Sequence, residues 1–169
     1  MRYNAAMFER MVDRSFQIAY RIAYPLALFV RRFRIQRHDG VTIAVWHKDS
    51  VLMVRHSYRA GVLLPGGGRK PGEDPQECIL RELKEEVGIV VDMNDLRLVE
   101  IRTRFEGIGE VHLFELDIND VPQLAIDNRE IIFADFIHIS EINTNIHDGM
   151  MRDYLTAKKE NFKRCHISV

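Results

Sequence analysis

Residues 67–89 read "GGRKPGEDPQECILRELKEEVGI", and the spacing inside this stretch decides the fold. Asp74 is a good N-cap, Pro75 suits a first helical turn and Gly88 suits a C-terminal stop. A helix is therefore predicted from about Asp74 to Val87. With Glu82 at zero on a helical wheel, Glu85 falls at about −60° and Glu86 at about +40°. Ile79, Leu83, Val87 and Leu80 occupy the arc from about 60° to about 160°. One stripe packs inward; the stripe beside it is acidic, with Cys78 inside it and Arg81 on its border. Glu82 and Glu86 are like charges at i,i+4, which cost a helix roughly 0.2–0.5 kcal/mol. Either the face is simply solvated or something cationic sits on it. Three clustered carboxylates make a hard-oxygen site suited to Mg2+ or Mn2+. Their mutual repulsion raises one carboxyl pKa and leaves one glutamate able to act as a base.

Just upstream, "LPGGGRKPGE" (64–73) holds Gly66, Gly67 and Gly68, which let a ligand or metal approach the backbone closely. Taken alone, such a loop is usually only a turn. Taken with the helix, the spacing is GX5EX7REUXEEXGU, where U is a bulky aliphatic residue. Gly67, Glu73, Arg81, Glu82, Leu83, Glu85, Glu86, Gly88 and Ile89 fill every fixed position. In these residues the chain resembles the Nudix hydrolase family, and the surrounding strands extend the resemblance over about 38–160.

The resemblance implies an α+β fold, a Nudix-like α/β/α sandwich with a mixed sheet. It implies an enzyme that hydrolyses the pyrophosphate of a nucleoside diphosphate linked to another moiety, with water attacking phosphorus. Glu82 and Glu86 match the main metal ligands, Glu85 contributes, and the Gly66 carbonyl matches a further ligand position. Glu73 and Arg81 match braces that orient these ligands. Bound metal ions neutralise the pyrophosphate and acidify the attacking water. The base is a motif glutamate, Glu82 first, or comes from a later segment. "NREIIFADFIHISEI" (128–142) resembles that late segment and makes Glu130 the candidate, with Glu110 a weaker one. The stretch "RFEGIG" (104–109) carries neither the proline nor the tyrosine that marks particular substrates in some subfamilies, so no nucleotide is named.

Outside the motif, Arg55, His56 and Arg59 precede the glycines and either contact phosphate with Gly67 and Gly68 or are solvated. His47, His112, His138 and His147 have no metal-ligand spacing. Trp46 belongs in the core or stacks on a base. Cys78 is expected to be partly buried and not nucleophilic.

The 169 residues suit one domain, and 46% hydrophobic with 29% charged residues is an ordinary globular composition, for which disorder is not the default. Two distant cysteines, Cys78 and Cys165, point to a reducing, cytoplasmic setting. "VTIAVWHKDSVLMVRH" (41–56) reads as a hairpin turning at His47–Ser50, "GVLL" (61–64) as a short strand, and 97–104, 111–118 and 131–139 as further strands. Asn143–Asn161 is expected to close the domain as a helix.

Residues 1–37 form an N-terminal amphipathic arm before the domain at 38–169. Phe8, Met11, Phe16, Ile22, Leu26, Phe29 and Phe33 follow helical spacing over 5–33, and Pro25 should kink the helix or begin a second one. "IAYPLALFV" (22–30) is too short to span a bilayer, which needs about 20 residues. Residues 1–40 hold eight arginines against Glu9, Asp13 and Asp39, a balance of +5 that leaves −6 for the rest. The arm is expected to pack on its own domain or form a homodimer, ahead of a membrane surface or RNA, and to be separable from the chemistry. Against the enzyme stands a non-catalytic nucleotide-sensing module, which commonly lacks one of the glutamates present here.

Overall fold

The computed structural model describes residues 2–33, 39–103, 109–143, 146 and 148–167, with side chains in the first helix described for 9–24 and in the last through 165. His147, most of the 104–109 stretch and the side chains of Phe8, Leu26, Phe29 and Phe33 lie outside the described residues.

The run "VTIAVWH" (41–47) is apolar at nearly every position and buried almost throughout, as a strand in a sheet covered on both faces must be. In chain order the elements are α1 (Arg2–Phe33), β1 (Gly40–His47), β2 (Ser50–His56), β3 (Gly66–Gly68), α2 (Pro75–Val87), β4 (Arg97–Thr103), β5 (Glu110–Asp117), β6 (Ile131–His138) and α3 (Gly149–Ile167). The sheet runs β4-β5-β1-β2-β6, with β3 also on β1. The β1–β5 pair is parallel and the other pairs are antiparallel, so the sheet is mixed. Val41, Ile43 and Val45 of β1 point into a core with Ile79, Leu83 and Val87 of α2. Ala44 and Trp46 point the other way, onto Met150, Met151, Tyr154 and Leu155 of α3. This is the expected α/β/α sandwich.

The ends of α2 follow the sequence. Asp74 accepts the Gln76 amide at 2.8 Å, Pro75 opens the helix, and Gly88 closes it with φ 74°. A Cβ on Gly88 would stand 2.9 Å from the Ala125 Cβ, and the Ala125 amide donates to the Val87 carbonyl at 2.9 Å. The segment after β5 therefore crosses the end of α2 at close range.

Three expectations change. "GVLL" is not a strand: it makes one bridge, Val54 to Leu63, while the glycines themselves form β3 against Gly40–Thr42. Glycine's lack of a side chain allows that close pairing; a Cβ on Gly66 would lie 2.2 Å from the Val41 carbonyl oxygen. The last helix starts at Gly149, not Asn143, and runs to Ile167. Asp148 sets the start by accepting the Met151 amide at 3.0 Å. Finally, α1 is one 32-residue helix that continues through Pro25. A proline removes a single N–H donor, and the turns on either side keep theirs.

One face of α1 docks on the domain. Asp13 pairs with Arg129 at 3.0 Å, Gln17 donates to the Asn128 carbonyl at 2.7 Å and Arg21 to the Ser57 carbonyl at 2.9 Å. Met11, Ile18 and Ile22, on the other face, are exposed. Among the described residues no helix is long and apolar enough to cross a membrane.

Candidate active site

Helix α2 supplies one wall of a cleft of about 340 Å³. Glu82, Glu85 and Glu86 line it, β3 forms its floor, and His56 and Tyr58 stand beside it at the end of β2. The 127–131 segment closes the far side with Asp127 and Glu130. Five carboxylates thus face one cavity.

Arg81 is the hub of the near wall. Its Nε donates to Glu73 Oε1 at 2.8 Å and its Nη2 to Glu73 Oε2 at 3.1 Å, a two-pronged contact. Its Nη1 donates to Glu82 at 2.8 Å and to Glu85 at 3.1 Å. Glu73 also accepts the Lys70 amide at 2.8 Å, and Arg69 donates to the Glu73 carbonyl. The Glu73–Arg81 pair ties the loop half of the motif to the helix half. The Arg81 hydrogen bonds outweigh burial and hold the Glu73 carboxyl down at about 2. Arg81 thus links Glu73 to Glu82 and Glu85.

The wheel's acidic stripe is not uniformly solvated. Glu85 is exposed, Glu82 largely covered and Glu86 buried. Glu86 is accommodated because both of its oxygens are used: one meets His56 Nε2 at 3.1 Å and the other accepts the Gly66 amide at 3.1 Å. Burial raises the Glu82 carboxyl, aided by Glu86 and Glu85 and opposed by Arg81. Cys78 is fully buried, more so than the sequence suggests. Burial first, then Glu73, pushes its thiol up to about 12, so it is no nucleophile.

Gly67 has a specific steric reason. A Cβ there would lie 2.3 Å from Glu82 Oε1, so the missing side chain is the space the carboxylate occupies. Hard oxygens in excess over nearby cations, with backbone able to approach them, fit Mg2+ or Mn2+. Glu82, Glu85, Glu86 and Gly66 all line the cavity and would hold the ion. As the side chains stand, no three His, Cys, Asp or Glu groups are gathered for a metal among the described residues. Arg81 orients the Glu82 and Glu85 oxygens, and His56 with the Gly66 amide orients those of Glu86.

On the far wall Asp127 starts a turn. Its carboxylate accepts the amides of Arg129, Glu130 and Ile131 at 3.0, 3.1 and 3.2 Å. Asn128 takes a left-handed φ of 58° there. Glu130 accepts the Tyr58 hydroxyl at 2.8 Å, and burial together with that bond raises the Tyr58 pKa.

Three candidates for contact with substrate or water, Arg55, Arg59 and Glu110, fall outside the cleft. Arg55 points away on β2 and lies over the Phe133 ring, 5.6 Å from its centroid. Arg59 is taken by α1, donating to the Tyr24 hydroxyl at 2.9 Å. His56 lines the cleft but is engaged by Glu86. Glu110, the weaker base candidate, sits at the start of β5 and does not line the cleft. Tyr58 and Asp127 were not singled out from sequence. The Asp-Asn pair at 127–128 was a legible turn signal; Tyr58 carries no local one.

The NUDIX domain family matches residues 36–156. An ADP-ribose pyrophosphatase of Methanocaldococcus jannaschii is 25% identical over 131 residues, covering 61% of this chain and 76% of that one. The NUDIX domain of Shewanella oneidensis NrtR, solved with ADP ribose, superposes with a TM-score of 0.61 at 14% identity, covering 78% of this chain and 92% of that one. A C. elegans Ap4A hydrolase superposes with a TM-score of 0.57 at 18% identity, covering 74% and 96%. With the match spanning most of its length and every signature position filled, this chain belongs to the Nudix family of pyrophosphohydrolases.

Proposed function

We propose that this protein is a divalent-metal-dependent hydrolase of a nucleoside diphosphate linked to a second moiety, with ADP-ribose the first substrate to test. The observation that carries the metal dependence is the arrangement of Glu82, Glu85 and Glu86 beside Gly67 and braced by Arg81. The substrate class is supported by the name of the archaeal relative and by the ADP ribose bound to the NrtR domain.

Bound at these oxygens, Mg2+ or Mn2+ would supply charge neutralisation of the pyrophosphate and a more acidic water. The chain's own residues do the rest. Arg81 sets the positions of Glu82 and Glu85, and His56 with the Gly66 amide sets Glu86. Glu130, across the cleft and not committed to Arg81, takes the proton from the attacking water. The water oxygen bonds to one phosphorus, and the bridging oxygen leaves with the other. ADP-ribose would then give AMP and ribose 5-phosphate.

The test is a panel of ADP-ribose, other nucleoside diphosphate sugars, dinucleoside polyphosphates and nucleoside triphosphates, each incubated with Mg2+ or Mn2+. Products are resolved chromatographically. Cleavage of at least one compound, abolished by excess EDTA, is expected. Full turnover in EDTA would refute metal dependence; binding without turnover would mark a sensing module.

A further inference from the structure

Among the described residues, the docked face of α1 meets two segments at the cleft, 57–59 after β2 and 128–129 on the far wall. Arg21 holds the Ser57 carbonyl and Gln17 the Asn128 carbonyl. Those segments are also joined to each other, because the Ser57 amide donates to the Glu130 carbonyl at 2.8 Å. Asp13 pairs with Arg129, whose guanidinium lies 4.9 Å from the Phe16 ring centroid. Residues 57, 128 and 129 are thus held from outside by one turn of helix after another.

The aromatic contacts reach further in. Tyr24 stacks on Tyr58 with centroids 4.4 Å apart, and Tyr20 lies 6.1 Å away. Arg59 holds Tyr24, bonded to its hydroxyl and lying 5.3 Å from its ring centroid. The hydroxyl of the stacked Tyr58 donates to Glu130, and its ring tilts against His56, 5.2 Å away. His56 in turn meets Glu86. Offset aromatic pairs fix ring position as well as burying area, and a carboxylate works only where its supporting partners hold it.

We propose that α1 is a positioning element of the hydrolytic site: Tyr24 and Tyr20 hold Tyr58, and Tyr58 holds Glu130 in place opposite α2. This rests on reading the cleft as hydrolytic with Glu130 as its base. It makes Tyr58, Tyr24 and Tyr20 positioning residues, since none of them needs to touch substrate. It also ties the arm to the chemistry, in place of the separable arm expected from sequence.

The experiment compares full-length Tyr58→Phe, Tyr24→Ala and Tyr24→Phe, with Glu130→Gln alone and combined with Tyr58→Phe. Tyr58→Phe should lower kcat roughly tenfold, the scale of one hydrogen bond, with KM and Mn2+ affinity unchanged. Tyr24→Ala should do the same, while Tyr24→Phe, which keeps the ring, restores most of the rate. Adding Tyr58→Phe to Glu130→Gln should cost nothing further, because both act through one carboxylate. Amide hydrogen exchange across 127–131 should quicken in Tyr24→Ala but not in Tyr24→Phe. Wild-type kcat in Tyr58→Phe and Tyr24→Ala, losses that add to Glu130→Gln, or unchanged exchange would overturn the proposal. If the wild-type protein hydrolyses nothing on the panel, the functional reading fails instead, and exchange alone judges whether α1 holds the wall.

Discussion

The imidazole of His56 meets the Glu86 carboxylate at 3.1 Å, and both side chains are more than nine-tenths buried. A buried carboxylate is costly unless its oxygens are engaged. Here the second oxygen takes the Gly66 amide. Glu86→Gln keeps the shape but loses the charge; its oxygen can still take the Gly66 amide, while its NH2 faces His56 Nε2 and requires that nitrogen to accept. Turnover should fall at least about 10²-fold, the scale of lost metal-based charge stabilisation. Tm should fall only by about 2–4 °C, the effect of roughly one hydrogen bond in a domain of this size. Near-wild-type turnover at limiting Mg2+ would show that Glu86 does not hold the ion.

Two adjacent glycines should respond oppositely to alanine. At Gly67 the new Cβ meets only the far end of a side chain, Glu82 Oε1 at 2.3 Å, which can swing aside. Gly67→Ala should leave Tm nearly unchanged while metal affinity falls about 10-fold or more. At Gly66 the Cβ meets backbone, the Val41 oxygen at 2.2 Å, with φ at +152°. Gly66→Ala should cost about 1–3 kcal/mol of stability. Thermal melts and Mn2+ titration of both variants separate the two effects; equal loss of stability in both would contradict the geometry.

The Glu73 carboxyl, held at about 2 against an ordinary 4.5, makes stability depend on pH. A folded-state pKa below the unfolded one stabilises fully above the unfolded value. That contribution shrinks as pH falls and is gone below the folded value. Urea melts of wild type and Glu73→Gln should therefore differ most above about pH 4.5 and converge near about pH 2. A difference that stays constant across that window would mean that Arg81 does not hold this carboxylate in solution.

On the opposite face of the sheet, Trp46 donates its indole N–H to the Tyr154 hydroxyl at 2.7 Å. That hydroxyl donates in turn to Glu115, which Lys158 and Arg97 also hold. Burial alone would raise the Glu115 carboxyl, but these donors outweigh it and lower it. Tyr154→Phe leaves the indole unpaired and should cost about 1–3 kcal/mol. Hydrolysis should be unaffected at temperatures below the melt, because α3 and the cleft lie on different faces. Denaturation followed by Trp46 fluorescence checks the first point and a rate assay the second.

Local signals carried much of this into view. Asp74, Pro75 and Gly88 bounded α2 because capping is settled within a turn. The motif spacing placed Glu73, Arg81 and the three glutamates because they share one short segment. What stayed hidden depends on distant partners. Glu86 falls on the acidic stripe of the wheel, which says nothing of burial, yet β2 brings His56 across it. Arg59 looks like a phosphate ligand beside the glycines, yet α1, 35 residues earlier, takes it. "GVLL" has the composition of a strand, but only glycines fit closely enough against the start of β1.

The crossing of Ala125 over Val87 and Gly88 sets a rule for how this sequence can drift. Two groups of carboxylates, from 82–86 and from 127–130, arrive in one cleft from separate parts of the chain. The second is indexed to the first at that crossing, where a bonded amide and a missing methyl fix the register. Insertions between the end of β5 and Ala125 change only the path to the crossing. Insertions between Ala125 and Glu130 change where Glu130 lands. Lineages descending from this chain should accumulate length differences before residue 125 and conserve the count after it.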